Sequence, residues 1–193
     1  LVLAYNEEQF LKTAISNLNN TVMETNLKNY EISIVNDGSK DNTLKIAEEC
    51  QKNINHNIKI INNKKNLGGA RSIQNFIKSV NEGKLIVITG DNDMDTTLIK
   101  KLIYGSKNND CVISYYVNRE IKGFLRATIS YFYNFLLCSI FKVYAFYLQG
   151  PFVWPIEIVK KFNLDNTGIT FISEINIKLL KSNLRFIEVS GIS

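Results

Sequence analysis

The chain has 193 residues, 45% of them hydrophobic and 21% charged, with a formal net charge of +5. That balance excludes intrinsic disorder and suits one well-cored domain, and the modest charge suits anionic ligands such as phosphates or an acidic membrane surface, with no Lys/Arg block of the kind nucleic-acid binders carry. One histidine, His56, in a polar stretch that reads as a solvated loop, and three scattered cysteines, Cys50, Cys111 and Cys138, exclude a His-rich metal centre, a CxxC zinc site and a disulfide framework, and suit a reducing cytosol.

Leu1–Ala4 reads as the second half of a core strand, so the sequence is expected to be a fragment of a longer protein. Residues 7–18 follow as a helix, with Phe10, Leu11, Ala14, Ile15 and Leu18 on one face. A strand over 31–35 leads to a helix over 43–50, opened by Ser39 or Asp41 as N-cap. Then come a strand at 57–61, a helix at 69–80, a strand at 84–89, a helix at 97–104 and a strand at 111–115. Such alternation predicts an α/β three-layer sandwich with a mostly parallel sheet. From Phe124 to Leu148 the only charges are Arg126 and Lys142, and nine Tyr and Phe residues crowd the stretch. It reads either as a pair of helices packed on the sheet or, the favoured reading, as amphipathic, aromatic-rich helices lying in a membrane interface rather than crossing it, since a span needs about 20 apolar residues. Helices near 157–161 and 173–181 and a strand at 186–189 complete the chain. Residues 1–115 and 116–193 are read as the two halves of one domain truncated at both ends.

Two acidic loops hang on the ends of the β-branched runs, Asn36-Asp37-Gly38-Ser39-Lys40-Asp41 and Gly90-Asp91-Asn92-Asp93-Met94-Asp95. In open parallel sheets ligands sit beyond the carboxyl ends of the strands, where both loops fall. Asp91, Asp93 and Asp95 stand at i, i+2 and i+4, which in extended chain projects three carboxylates to one side. Hard oxygens of that kind suit Mg2+ or Mn2+ carrying a diphosphate, although Asp95 also suits the N-cap of the helix that follows. Asp37 is placed to accept a nucleobase imino N–H, or is ordinary Asp-Gly-Ser turn chemistry. Asn66-Leu67-Gly68-Gly69-Ala70-Arg71 lets backbone approach a ligand and brings Arg71 toward a phosphate.

In order and spacing, Ala4-Tyr5-Asn6-Glu7-Glu8, Val35-Asn36-Asp37-Gly38-Ser39-x-Asp41-x-Thr43, Asn66-x-Gly68-Gly69-x-Arg71 and Asp91-x-Asp93 resemble the inverting glycosyltransferases of family 2. Arg119, Gly123, Arg126, Ser130 and Asn134 resemble the series of that family's polyprenyl-phosphate branch, the dolichol-phosphate mannosyltransferase-like enzymes, and Gly150, Glu174 and Glu188-Val189 resemble later landmarks. The resemblance implies a GT-A fold acting on a GDP- or UDP-linked sugar. Ala4, Tyr5, Glu7, Val35, Asp37, Asn66, Arg71, Asp91 and Asn92 would line the donor site. Asp91, Asp93 and Asp95 would hold Mg2+ or Mn2+. Asp93, Arg119 and Arg126 would be catalytic, the arginines binding the phosphate of a polyprenyl (dolichyl or undecaprenyl) phosphate acceptor at the cytoplasmic membrane face. Leu3 stands where the family usually has Pro, and Asn36 where it has the first Asp of a pair.

Two other readings stay open. A family 2 enzyme extending a saccharide would need a carboxylate base, for which Glu174 and Asp165 are the candidates. A non-catalytic nucleotide-binding domain of the same fold would leave three adjacent carboxylates idle.

Overall fold

The structure, a computed structural model, describes residues 1–55, 57–118 and 123–192, so the expectations for His56 and Arg119 lie outside it. Its centre is a set of strands buried on both faces. β1 (Val2–Ala4), β2 (Ile32–Asn36) and β3 (Ile58–Asn62) pair in parallel, with Val2 opposite Ile34 and Ile32 opposite Ile58. All five residues of β2 are buried, which is why its sequence reads as a short apolar run rather than an alternation.

The run 84–89 was expected to be one strand, and it is two. β4 (Lys84–Ile86) and β5 (Ile88–Thr89) are separated at Val87 because they serve different partners. β5 lies parallel to β1, closing a sheet of order β3-β2-β1-β5. β4 pairs antiparallel with a strand the sequence did not announce, β7 (Phe152–Pro155), with Leu85 opposite Trp154. β7 also pairs with β6 (Cys111–Tyr116), which pairs in parallel with β8 (Phe186–Gly191), giving the second order β4-β7-β6-β8. One short segment thus joins a parallel sheet to a mixed one.

Helices cover both faces. α1 (Leu11–Glu24), α2 (Thr43–Asn53) and α4 (Thr96–Asn108) lie on one side, burying Leu11, Ile15, Ala47 and Ile99 against Val2, Ile34 and Ile88. α3 (Gly69–Ser79), α6 (Ile156–Val159) and α7 (Phe171–Leu180) cover the other, where Ile73, Phe76 and Ile175 meet Leu85, Phe152 and Trp154. Trp154 is fully buried, stacked on Phe152 with centroids 3.5 Å apart and edge-on to Phe171. Its indole N–H donates to Asn176 Oδ1 at 2.7 Å, so its polar atom is satisfied as burial requires. The three-layer α/β sandwich is as expected.

Several element ends shift by a few residues, and three differences bear on the packing and the site. α1 starts at Leu11, not Glu7, because residues 7–10 form a turn in which the Glu7 and Glu8 N–H groups go to the neighbouring loop and the Phe10 N–H to the Glu7 carbonyl; it then runs on to Glu24, burying Asn19, Thr21 and Val22. The N-cap residue of α2 is Asn42, though Asp41 Oδ1 accepts the Thr43 N–H at 3.0 Å and so does the capping work. The expected helix pair over 124–148 is a single helix, α5 (Phe124–Phe141), stopped by Lys142 in the left-handed region at φ 53°. The chain then continues without helix to β7.

α5 is long and apolar enough to cross a membrane by length and composition, and only Ala127 and Asn134 of its residues are buried. Phe124, Leu125, Ile129, Phe132, Phe135 and Ile140 are all exposed. Its inner side meets α7 through Leu137 and Cys138 beside Leu148 and Ile177.

Between α5 and β7, Gly150 lies against β6, where a Cβ would stand 1.9 Å from the Ser114 carbonyl oxygen. The same serine donates from N and Oγ to the Pro151 carbonyl, at 2.9 and 2.7 Å. Gly150→Ala forces these backbones apart and lowers stability by about 3 kcal/mol, the upper range for overpacking, read as a fall in the urea midpoint.

Candidate functional site

The loops after β1, β2, β3 and β5 leave from the same end of the parallel sheet and lock together. Ser39 Oγ accepts the Asn6 N–H at 2.9 Å, Thr43 Oγ1 the Glu7 N–H at 2.8 Å and Asp41 Oδ2 the Glu8 N–H at 3.2 Å. In return Asn6 Oδ1 accepts the Lys40 N–H at 2.9 Å, and Glu8 Oε2 accepts both the N–H and the side-chain amide of Asn42. Asn6 itself is left-handed at φ 58°, which Asn tolerates better than most residues. The polar alternation at 39, 41 and 43 is therefore a row of acceptors for one stretch of backbone.

Asp37, 5% exposed, faces the loop after β3. Its Oδ1 accepts from Asn63 Nδ2 at 2.7 Å, Leu67 N at 3.0 Å and Ser72 Oγ at 2.9 Å, and its Oδ2 from Gly68 N at 2.9 Å. Three donors on one oxygen and one on the other leave room on Oδ2 for a further donor. Gly38 permits the approach: at φ +70° it lies so close to Lys65 and Asn66 that a Cβ would be 2.3 Å from the Lys65 carbonyl carbon. Val35 and Ala4 are buried beneath, whereas Tyr5, Asn66 and Arg71 are exposed on the rim.

The second acidic loop is a turn and not the extended chain expected. Asp91 Oδ1 accepts from Thr89 Oγ1 at 2.6 Å and from Asp93 N at 3.1 Å, while Asn92 is left-handed at φ 60° and accepts from Asn17 Nδ2 through its side chain. This turn breaks the i, i+2, i+4 alignment. Among the described residues no three acidic, His or Cys side chains are placed to hold one metal ion. Asp95 sits at the N-cap of α4 and shares with Asp93, Asn17 and Ile192 a recess of about 550 Å3 that Asp91 does not line.

Asp91 and Asp93 instead share one neighbour, Tyr116, and Asp91 also acts on Glu7. The Tyr116 hydroxyl is pushed up to about 12 by burial first, then by Asp93, Tyr147 and Asp91. Glu7 is raised above the usual carboxylate range by burial first, and then by Asp91 and Asp41. The negative charge so concentrated is an environment a divalent cation would relieve. Mg2+ needs only one or two protein carboxylates when phosphate oxygens and waters supply the rest, so Asp91 and Asp93 fit a cation arriving with a diphosphate.

Beside Tyr116 lies an aromatic cavity of about 660 Å3, walled by Tyr115, Tyr116, Tyr131, Phe135, Tyr144 and Phe146. Its floor is the loop after α5, held by Asn134. Asn134 Nδ2 donates to the Ala145 carbonyl at 3.0 Å, and Oδ1 accepts the Leu148 N–H at 2.8 Å. Arg126 is exposed in the first turn of α5. The two candidate bases are engaged elsewhere: Glu174 is paired with Lys178 at 2.5 Å, and Asp165 accepts from Asn163 Nδ2 at 2.6 Å.

Sequence reasoning thus named Asp37 and the loop glycines, quoted Ser39 and Thr43 only as a cap candidate and motif positions, and did not name Asn63 or Ser72; the contribution of these four is to hold the loops. For Ser39 and Thr43 the i, i+2, i+4 spacing with Asp41 was a readable signal. For Asn63 and Ser72 nothing local was.

The profile of glycosyl transferase family 2 matches residues 1–159. An uncharacterised glycosyltransferase of Haemophilus influenzae is 45% identical over 83 residues, 43% of this chain and 22% of that protein. An uncharacterised protein of Methanocaldococcus jannaschii is 34% identical over 148 residues, 72% of this chain and 60% of its own length. The chain therefore spans less than two thirds of either relative. Glucosyl-3-phosphoglycerate synthase from Mycobacterium tuberculosis, solved with Mn2+, UDP and phosphoglyceric acid, superposes with a TM-score of 0.71 at 14% identity, covering 99% of this chain and 67% of that one. At that identity the likeness shows a shared fold, the GT-A type.

The carboxylate crowding has a measurable sign. A raised native pKa means that Glu7 binds its proton more readily when folded, so its contribution to stability is present at low pH and lost as the pH rises through that raised value. In Asp91→Asn one repelling charge is gone, and the Glu7 carboxyl titrates lower than in the wild type by carbon-13 NMR, while burial keeps it above the normal value.

Proposed function

The chain belongs to glycosyl transferase family 2, and from that premise we propose that it transfers a sugar from a nucleotide-sugar donor, with Mg2+ or Mn2+, to a polyprenyl phosphate at the cytoplasmic face of a membrane. The observation that carries this reading is the aromatic cavity beside Tyr116, which adjoins the acidic turn on one side and the exposed apolar α5 on the other. A donor diphosphate at Asp91 and Asp93 and an acceptor with an apolar tail would meet there. The UDP-bound neighbour of the same fold favours a UDP-linked donor over a GDP-linked one.

The chemistry follows from the groups present. Asp37 and its bonded loop shape the nucleotide end, with the free position on Oδ2 turned to the base, and Arg71 on the rim approaches a phosphate. Asp91 and Asp93 would hold the divalent cation, which when bound neutralises the departing diphosphate. An acceptor phosphate is already an anion, so it attacks the sugar's anomeric carbon from the face opposite the leaving group with no base to deprotonate it, and configuration inverts. That fits Glu174 and Asp165 being engaged elsewhere. Arg126, with a guanidinium fork matched to two phosphate oxygens, holds the nucleophile in line, with Arg119 as its proposed companion. α5, apolar on nearly every side, brings the site to the lipid surface.

The test uses the full-length protein, polyprenyl phosphate and labelled UDP- and GDP-sugars, with and without EDTA. Label enters the organic phase only with metal present, and Asp93→Asn lowers the rate by about a hundredfold or more. Arg126→Ala raises the KM for the lipid phosphate and leaves that for the donor unchanged. Label in a water-soluble saccharide would move the assignment to saccharide extension, and no donor turnover would leave a binding domain.

A further inference from the structure

We infer that Glu188 is a positioning residue that holds the Phe146–Tyr147 backbone and with it the Phe146 ring in the wall of the aromatic cavity, an inference that rests on reading that cavity as the acceptor's place. Glu188 stands in the edge strand β8, opposite Ile113 of β6. Its neighbours Ile187 and Val189 pack with Leu98 and Leu102 of α4. By strand alternation the Glu188 side chain leaves the sheet on the other face. There Oε1 accepts the Phe146 N–H at 2.7 Å, and the next amide, of Tyr147, also turns to the carboxylate.

A carboxylate half-buried in a strand is costly, and among the described residues no cation pairs with it. Burial pushes its pKa up, and the two amides draw it partly back. An apolar residue would serve the strand better, so the gain lies in the loop. Successive N–H groups converging on one anion form a concavity that fixes the backbone between them. The Phe146 ring so placed lies 4.8 Å from Tyr115 and edge-on to Tyr144 at 6.0 Å. Tyr147 is one of the groups acting on Tyr116, the residue that feels Asp91 and Asp93.

Asn134 holds the same loop from the other side, at the Ala145 and Phe146 carbonyls and the Leu148 N–H. The two residues divide the loop's polar edge, with Glu188 taking the amides in its middle. Phe146 lines the cavity and Tyr147 acts on Tyr116, the residue that also feels the acidic turn, so Glu188 sets how the acceptor side meets the donor side while touching neither substrate.

The test compares full-length wild type, Glu188→Ala and Glu188→Gln by amide hydrogen exchange of segment 144–148 and by steady-state kinetics against each substrate. In Glu188→Ala exchange speeds up and the acceptor KM rises, each by about tenfold, the loss expected for one charge-assisted hydrogen bond. The donor KM does not move, and Glu188→Gln, which still offers an Oε1 acceptor, restores most of both. Unchanged exchange, a parallel loss on donor and acceptor, or a Gln variant as impaired as the Ala variant would each overturn the inference. A wild type that transfers to no acceptor brings down the acceptor reading instead, and the exchange comparison still decides whether Glu188 holds the loop.

Discussion

A carboxylate at the end of a buried strand must find hydrogen-bond donors, and the loop end of the parallel sheet is organised around that requirement. Asp37 is nearly inaccessible, and its four donors all come from residues 63–72. Leaving such a group unpaired costs far more than an ordinary hydrogen bond contributes. The loop after β3 therefore has one low-energy position relative to β2, and with it the Gly68-Gly69 turn and the start of α3. Gly38 belongs to the same constraint, since any side chain there would strike the Lys65–Asn66 backbone. What looked like turn chemistry in the sequence is the tie between two loops.

The sheet supplies the frame for that tie. Parallel pairing of β1, β2, β3 and β5 puts four loop starts at one end, and the shared register leaves little freedom in how they meet. The break at Val87 matters as much. Upstream, β4 is committed to β7 and the aromatic core around Trp154; downstream, β5 is committed to β1 and leads straight into the acidic turn. The carboxylates proposed to meet the metal, Asp91 and Asp93, thus stand two and four residues beyond a strand whose place is set by its pairing with β1.

Much of this was legible in the sequence. The alternating βα elements of the first half follow from apolar runs of two clear periods, and the loops at the strand ends were readable from their acids and glycines. β7 was not, because Pro151 and Pro155 bracket Phe152-Val153-Trp154 and proline argues against a strand; Pro155 is tolerated as the strand's last residue. The end of α5 was hidden because Lys142 carries no turn signature, yet adopts a left-handed conformation. The three-carboxylate alignment failed on a single residue, Asn92, whose positive φ converts extended chain into a turn. The bonding of Asp37 could not be foreseen, since its partners lie 26 to 35 positions along the chain.

The lock between the first two loops also has a direction. Glu7 contributes only its backbone N–H to it, whereas Ser39, Asp41 and Thr43 contribute side-chain oxygens. For the loop geometry, Glu7 is free to drift to almost any residue and the other three are not. On the donor-site reading proposed above, substitution at position 7 would act on the ligand, and substitution at 39, 41 or 43 on the scaffold.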